Sequence, residues 1–138
     1  MVTKDGNHQK KLANDYSQTI NRFTLPDTFH LPRISDMFNK IAQYRVLSTI
    51  DLQSAYHQVP IKDEDKLYTA LETRHDLYHF TRLPFGVTNG VACLQREMMK
   101  FAAENNLEAV FPYLDNVAVC GKHQEEHELE TFPWGCWV

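Results

Sequence analysis

Residues 110–121 read Val-Phe-Pro-Tyr-Leu-Asp-Asn-Val-Ala-Val-Cys-Gly: two short apolar runs with a polar turn pair between them. That pattern predicts a β-hairpin with strands over 110–113 and 117–120, joined through Leu114-Asp115-Asn116 and closed by Gly121. A carboxylate, Asp115, is left at the tip. Upstream, residues 45–52 read Arg-Val-Leu-Ser-Thr-Ile-Asp-Leu, apolar and β-branched with alternation, which predicts a buried strand reaching Asp51 at its carboxyl end. Two carboxylates presented from neighbouring strand ends suit Mg²⁺, which takes hard oxygen ligands and leaves its other positions to water and substrate phosphate. Aspartate also favours strand ends and turns for backbone reasons, so spacing alone does not separate the two readings.

Working outward, Pro26 and Pro32 force extended backbone around residues 24–34. Apolar residues at 34, 37, 38 and 41 predict a helix over 34–41. Residues 63–68 open with acids and predict a short helix, and 71–73 with 77–81 predict a hairpin about the polar turn Arg74-His75-Asp76. Pro84-Phe85-Gly86 breaks the chain. A helix follows, capped by Thr88 or Asn89 and carrying Val91, Leu94, Met98 and Phe101 on one apolar face as far as Glu104. Residues 123–129 predict a charged surface helix. The last eight residues, Thr131 to Val138, hold two tryptophans and no periodicity. Strands and helices are mixed, with two hairpins and no βαβ repeat, which makes the fold class α+β.

The chain has 138 residues, enough for a real core, and its 43% hydrophobic and 23% charged content excludes wholesale disorder. Three scattered cysteines form no disulfide framework and suit a reducing compartment. The polar amino terminus lacks the apolar stretch of a signal peptide, and no apolar run is long enough to span a bilayer. The expectation is a soluble, intracellular protein, cytoplasmic or nuclear. Residues 1–50 carry seven Lys/Arg against four acids, whereas residues 51–138 carry seven against fourteen. Only the first part has the basic balance of a nucleic-acid surface, and weakly.

The order of three motifs adds what spacing does not. Ser48-Thr-Ile-Asp-Leu-Gln-Ser-Ala-Tyr-His-Gln-Val-Pro-Ile61, then Leu83-Pro-Phe-Gly-Val-Thr-Asn-Gly-Val-Ala-Cys-Leu-Gln-Arg-Glu-Met98, then Phe111-Pro-Tyr-Leu-Asp-Asn-Val-Ala-Val-Cys-Gly121 resemble reverse transcriptases of the gypsy class of LTR retrotransposons. The resemblance runs from about Lys10 to Glu130. It implies a right-hand polymerase palm, an antiparallel sheet with helices on one face, plus partial fingers. By position it divides the chain into partial fingers over 1–44, a palm with an intervening fingers hairpin over 45–130, and a divergent tail over 131–138. It further implies an RNA-directed DNA polymerase that joins a dNTP to a primer 3′-hydroxyl on an RNA or DNA template, using two Mg²⁺ ions or Mn²⁺.

The same resemblance assigns residues. Asp51 matches the metal-binding aspartate of the first palm strand, and Asp115 the first aspartate of the Tyr-x-Asp-Asp hairpin. Leu52, Ser54 and Ala55 match positions beside the incoming nucleotide, the last two through backbone amides. Tyr56 matches the steric gate against ribonucleotides. Phe85 and Gly86 match the segment lying on the nucleotide, Gln95 a template-proximal position, and Lys11 the place of a phosphate-binding arginine. Four departures are expected to impair catalysis. Asn116 replaces the second aspartate and leaves a weakened metal ligand, and a loss of even about 3 kcal/mol would slow turnover more than a hundredfold. Lys11 lacks the planar fork of arginine. Much of the fingers is missing. The tail leaves the family pattern where the palm should continue into the thumb, so a truncated copy is expected, its thumb and RNase H parts belonging to the same polyprotein.

Two rival readings come from other classes. One is a catalytically inactive remnant serving as a nucleic-acid- or protein-binding module. The other is a small zinc-binding protein using Cys120, His123, His127 and Cys136.

Overall fold

The structure, a computed structural model, describes Val2–Thr3, Lys10–Lys11 and residues 14–136. In chain order the elements are β1 (Val2–Thr3), β2 (Lys10–Lys11), α1 (Ile20–Phe23), α2 (Ile34–Ile41), β3 (Val46–Asp51), β4 (Leu71–Glu72), β5 (Leu77–Tyr78), α3 (Gly90–Glu104), β6 (Val110–Tyr113), β7 (Asn116–Gly121) and α4 (Gln124–Thr131). Three 3₁₀ turns, at Ala55–Gln58, Asp63–Thr69 and Phe132–Cys136, complete them. This is the α+β class expected. The chain divides into two compact units, Met1–Pro26 with Tyr56–Gly90, and Asp27–Ala55 with Val91–Val138.

The second unit is built on an antiparallel sheet in the order β3-β7-β6. β3 pairs with β7 from Val46↔Gly121 to Asp51↔Asn116, and β6 pairs with β7 from Val110↔Val119 to Tyr113↔Asn116. Residues directly opposed across a ladder point to the same face. One face therefore carries Val46, Ser48 and Ile50 with Val117 and Val119, and these two valines are fully buried. α4 lies on this face: Gly121 meets the His127 backbone, and Ser48 Oγ is 2.7 Å from His127 Nε2. The other face carries Leu47, Thr49 and Asp51, all exposed, so β3 alternates half-buried and exposed along its length. α4 covers the first face; on the second, Cys120 opposite Leu47 is still buried, and the face is open toward its Asp51 end.

α3 buries Leu94 and Met98 as expected and half-buries Phe101, but its buried stripe also takes in Gln95 and leaves Val91 out. Leu94, Gln95, Met98 and Ala102 are in the core, while Val91 is 38% exposed. The buried stripe is widened to admit a glutamine, because the hairpin backbone satisfies that amide. The aperiodic tail forms the 3₁₀ turn Phe132–Cys136 with Trp134 fully buried, so residues outside the family's sequence pattern still contribute to the core.

In the first unit, β1 and β2 form an antiparallel pair. The predicted helix over 63–68 is a 3₁₀ turn, tightened by Thr69 Oγ1 donating to the Lys66 carbonyl three residues back (2.7 Å) and by Ala70 N donating to Leu67 O (3.2 Å). The hairpin is shorter than predicted, only Leu71↔Tyr78 and Glu72↔Leu77. Residues 79–83 leave it because the backbone beyond bonds elsewhere: Ile61 N donates to Thr81 O and Leu83 N to Val59 O. Tyr16 is buried beneath, its hydroxyl 3.4 Å from Thr69 O, and burial raises its pKa.

Candidate active site

The β3-β7-β6 sheet brings the two sequence-distant aspartates to one end. Asp51 ends β3 directly opposite Asn116, and Asp115 precedes Asn116 in the turn from β6. The backbones are tied there, Leu52 N donating to Asp115 O at 2.8 Å. Asp51, Asp115 and Asn116 are all exposed, and Asp51 and Asn116 share the open face of the sheet. Leu52, expected beside the nucleotide, is buried at 3% exposure, and what it presents at this end is its backbone amide.

The tip is a two-residue turn, Leu114-Asp115, between the opposed Tyr113 and Asn116. Leu114 has φ +57°, while Asp115 is not among the left-handed residues. In φ this is the pattern of a type II′ turn, whose first central position is normally glycine. A leucine there costs about 1–2 kcal/mol. Gln95, fully buried on α3, bonds the backbone on both sides of this turn. Its Nε2 donates to Pro112 O (2.7 Å), and its Oε1 accepts from Leu114 N (2.9 Å). Each such bond contributes about 1 kcal/mol net, enough together to hold the turn. Gln95, the residue expected near the template, has both ends of its amide on the protein backbone.

Asn116, expected as a weakened ligand, turns its Nδ2 toward Asp115 Oδ1 at 3.2 Å. An amide donor sits where a second carboxylate would repel the first. A cation using that oxygen must displace the amide or approach another edge of Asp115. Among the described residues no three His, Cys, Asp or Glu side chains group to hold a metal ion. What this sheet end offers is two exposed carboxylates and an amide, oxygen donors of the kind a hard cation takes, at reduced charge.

Of the nucleotide-side residues, Ser54 is exposed with φ +52° just after β3, and Ala55 is buried. Tyr56, Phe85 and Gly86 belong to the other unit. There the Tyr56 and Phe85 rings lie 5.0 Å apart, and His57 packs edge-on to Phe85 at 5.0 Å. Gly86 has φ +91°, and a Cβ on it would come within 3.0 Å of Asn14 O, so only glycine suits both conformation and space. Asn21 holds the same turn, Nδ2 donating to Gly86 O (2.7 Å) and Oδ1 accepting from Thr88 N (2.9 Å). Lys11 has its backbone in β2, and its side chain lies outside the described residues.

Among the described residues, Cys120, His123 and His127 are not gathered into a ligand set. Cys120 is buried in β7, His127 is engaged with Ser48, and the Cys136 side chain lies outside the described residues. Sequence reading missed Asn21, the Gln95 clamp and the buried Trp134. Only the glutamine beside an apolar helical face offered a signal, as a polar residue next to the core stripe.

Residues 5–131 match the family described as reverse transcriptase (RNA-dependent DNA polymerase). The chain is 29% identical over 122 residues to the retrovirus-related Pol polyprotein from transposon gypsy of Drosophila melanogaster, covering 88% of this chain and 12% of that one. It is 31% identical over 109 residues to an RNA-directed DNA polymerase homolog of Oenothera berteroana, covering 79% of this chain and 76% of that one. The foamy viral protease-reverse transcriptase in complex with double-stranded DNA shares the fold, with a TM-score of 0.79 at 19% identity over 96% of this chain and 22% of that one. Reverse transcriptases are metal-dependent as a family. No helix among the described residues is long and apolar enough to cross a membrane.

Proposed function

Because the chain belongs to the reverse transcriptase family, in the gypsy type of LTR retrotransposons, we propose that it forms the nucleotidyl-transfer centre of an RNA-directed DNA polymerase. The observation that carries this reading is the pairing of Asp51 with Asn116 beside Asp115 at one end of an open sheet face. Asp51 and Asp115 would hold the divalent ions, Mg²⁺ or Mn²⁺, two in the intact family, with Asn116 as a weaker oxygen ligand. The metal, when bound, neutralises the triphosphate and lowers the pKa of the primer hydroxyl. The primer 3′-hydroxyl gives its proton to solvent water, its oxygen bonds to the α-phosphorus of the dNTP, the bond from that phosphorus to the α–β bridging oxygen breaks, and pyrophosphate leaves with that electron pair.

The chain's own residues set geometry and selection. The backbone amides after β3, at the exposed Ser54 and the buried Ala55, would meet phosphate oxygens. The Tyr56 ring, braced by Phe85, stands under the sugar and excludes a 2′-hydroxyl, while Gly86 lets backbone approach the nucleotide. Lys11 supplies charge to the triphosphate. Gln95 lies near the template through the hairpin it supports. In domain terms, residues 1–44 are fingers, 45–130 palm with an inserted fingers hairpin, and 131–138 a tail. The partners are a template-primer duplex and dNTP, a duplex being what the foamy viral structure holds.

Primer extension on an RNA template with Mg²⁺ or Mn²⁺ tests this. Weak synthesis that vanishes in Asp51→Asn and rises in Asn116→Asp is expected. No product in any condition, with Asn116→Asp included, would leave the second reading, a catalytically inactive relative. The Asn116 amide bonded to Asp115 favours that second reading.

A further inference from the structure

The side chain of Gln95 is wholly enclosed, and its two bonds end on the two backbone groups that flank the hairpin tip, the Pro112 carbonyl and the Leu114 amide. From the other side, Leu52 N holds the Asp115 carbonyl. Leu114 sits at φ +57° between these anchors, in a conformation that is uncommon and costly for a leucine. We propose that Gln95 is a positioning residue, clamping a strained Leu114 so that the Asp115 carboxylate is aimed at the cation it shares with Asp51.

The residue type follows from the geometry. One donor must face a carbonyl and one acceptor must face an N–H from a single planar group. Only a side-chain amide of this length offers both. Glutamate would set a second oxygen against Pro112 O. Methionine fills the same volume but makes neither bond. Asp115 projects from the next residue, so any relaxation of Leu114 toward negative φ redirects its Cα–Cβ bond without emptying the core.

This inference rests on the metal-site reading above, and the experiment separates the two. Mn²⁺ is titrated into the full chain and followed by electron paramagnetic resonance in wild type, Asp51→Asn, Gln95→Met and Gln95→Met with Leu114→Gly. In Gln95→Met the dissociation constant should rise about tenfold or more while thermal unfolding stays cooperative. Adding Leu114→Gly, which makes the left-handed turn intrinsically accessible, should return it to within about threefold of wild type. Wild-type affinity in Gln95→Met, or a loss that Leu114→Gly does not restore, overturns the clamp.

Amide hydrogen exchange on the wild-type chain decides the matter even if Gln95→Met does not fold. The Leu114 N–H should exchange at least about a hundredfold more slowly than an unstructured amide, and exchange at the unstructured rate overturns the clamp. Mn²⁺ binding unaffected by Asp51→Asn would sink the metal-site reading instead, with Leu114 exchange still reporting on the clamp by itself.

Discussion

Trp134 stands edge-on to Phe101, ring centroids 4.8 Å apart and planes at 63°, with its own side chain fully buried. The pair joins the 3₁₀ turn after α4 to the carboxyl-terminal half of α3. An indole buries more apolar area than any other side chain, so this one residue anchors a turn that is otherwise poor in core contacts. Phe132, two positions earlier, is 87% exposed.

Trp134→Ala is therefore expected to lower stability by about 3–5 kcal/mol, the range for emptying a buried aromatic site. Urea denaturation of the full chain measures it. A change below about 1 kcal/mol would mean that the tail is not part of the core in solution.

Gly121 sets how closely α4 approaches the sheet. A Cβ there would lie 2.7 Å from His127 N and 2.8 Å from His127 Cβ, both on the helix itself rather than on a flexible tip. Gly121→Ala should cost about 1–3 kcal/mol by pushing α4 outward. Gly135→Ala is the matched control, since a Cβ there meets nothing within 4 Å, and it should change stability by less than about 0.5 kcal/mol. Equal effects in the two variants would contradict the close packing.

Asn21 spends both ends of its amide on the turn at Gly86 and Thr88. Asn21→Ala should destabilise by about 1–2 kcal/mol, two exposed side-chain bonds being lost. Faster exchange at the Thr88 amide would localise the effect to that turn. Unchanged exchange there would rule the contact out.

Asp27 accepts from Arg96, whose guanidinium also lies over the Phe29 ring at 5.1 Å, and from Phe29 N at 2.9 Å. The Arg96 hydrogen bond first, then the Phe29 amide, hold its carboxyl below the ordinary 3.8. A carboxylate depressed in the folded state stabilises above its unfolded pKa, and that contribution disappears as pH falls through the folded value. Stability should thus drop between about pH 4 and the lower folded pKa of Asp27. Arg96→Leu should move the Asp27 titration, followed by side-chain carboxyl NMR, back toward 3.8. An Asp27 titration unmoved by that change would show the ion pair absent in solution.

The alternation in residues 45–52 and 110–121 was enough to predict both strands, the hairpin and the two tip carboxylates, since burial on one sheet face writes itself into a period of two. The helix over 34–41 was equally legible, and so was the run beginning near Asn89. Tertiary contact alone decided the rest. It chose Asp51↔Asn116 as the closing pair, because register depends on which strands meet. It widened the buried stripe of α3 beyond Leu94 and Met98 to enclose Gln95, since an amide can be buried only where distant backbone completes its bonds. It placed Trp134 in the core although the residues around it carry no period, because a single large ring needs only one cavity of the right shape.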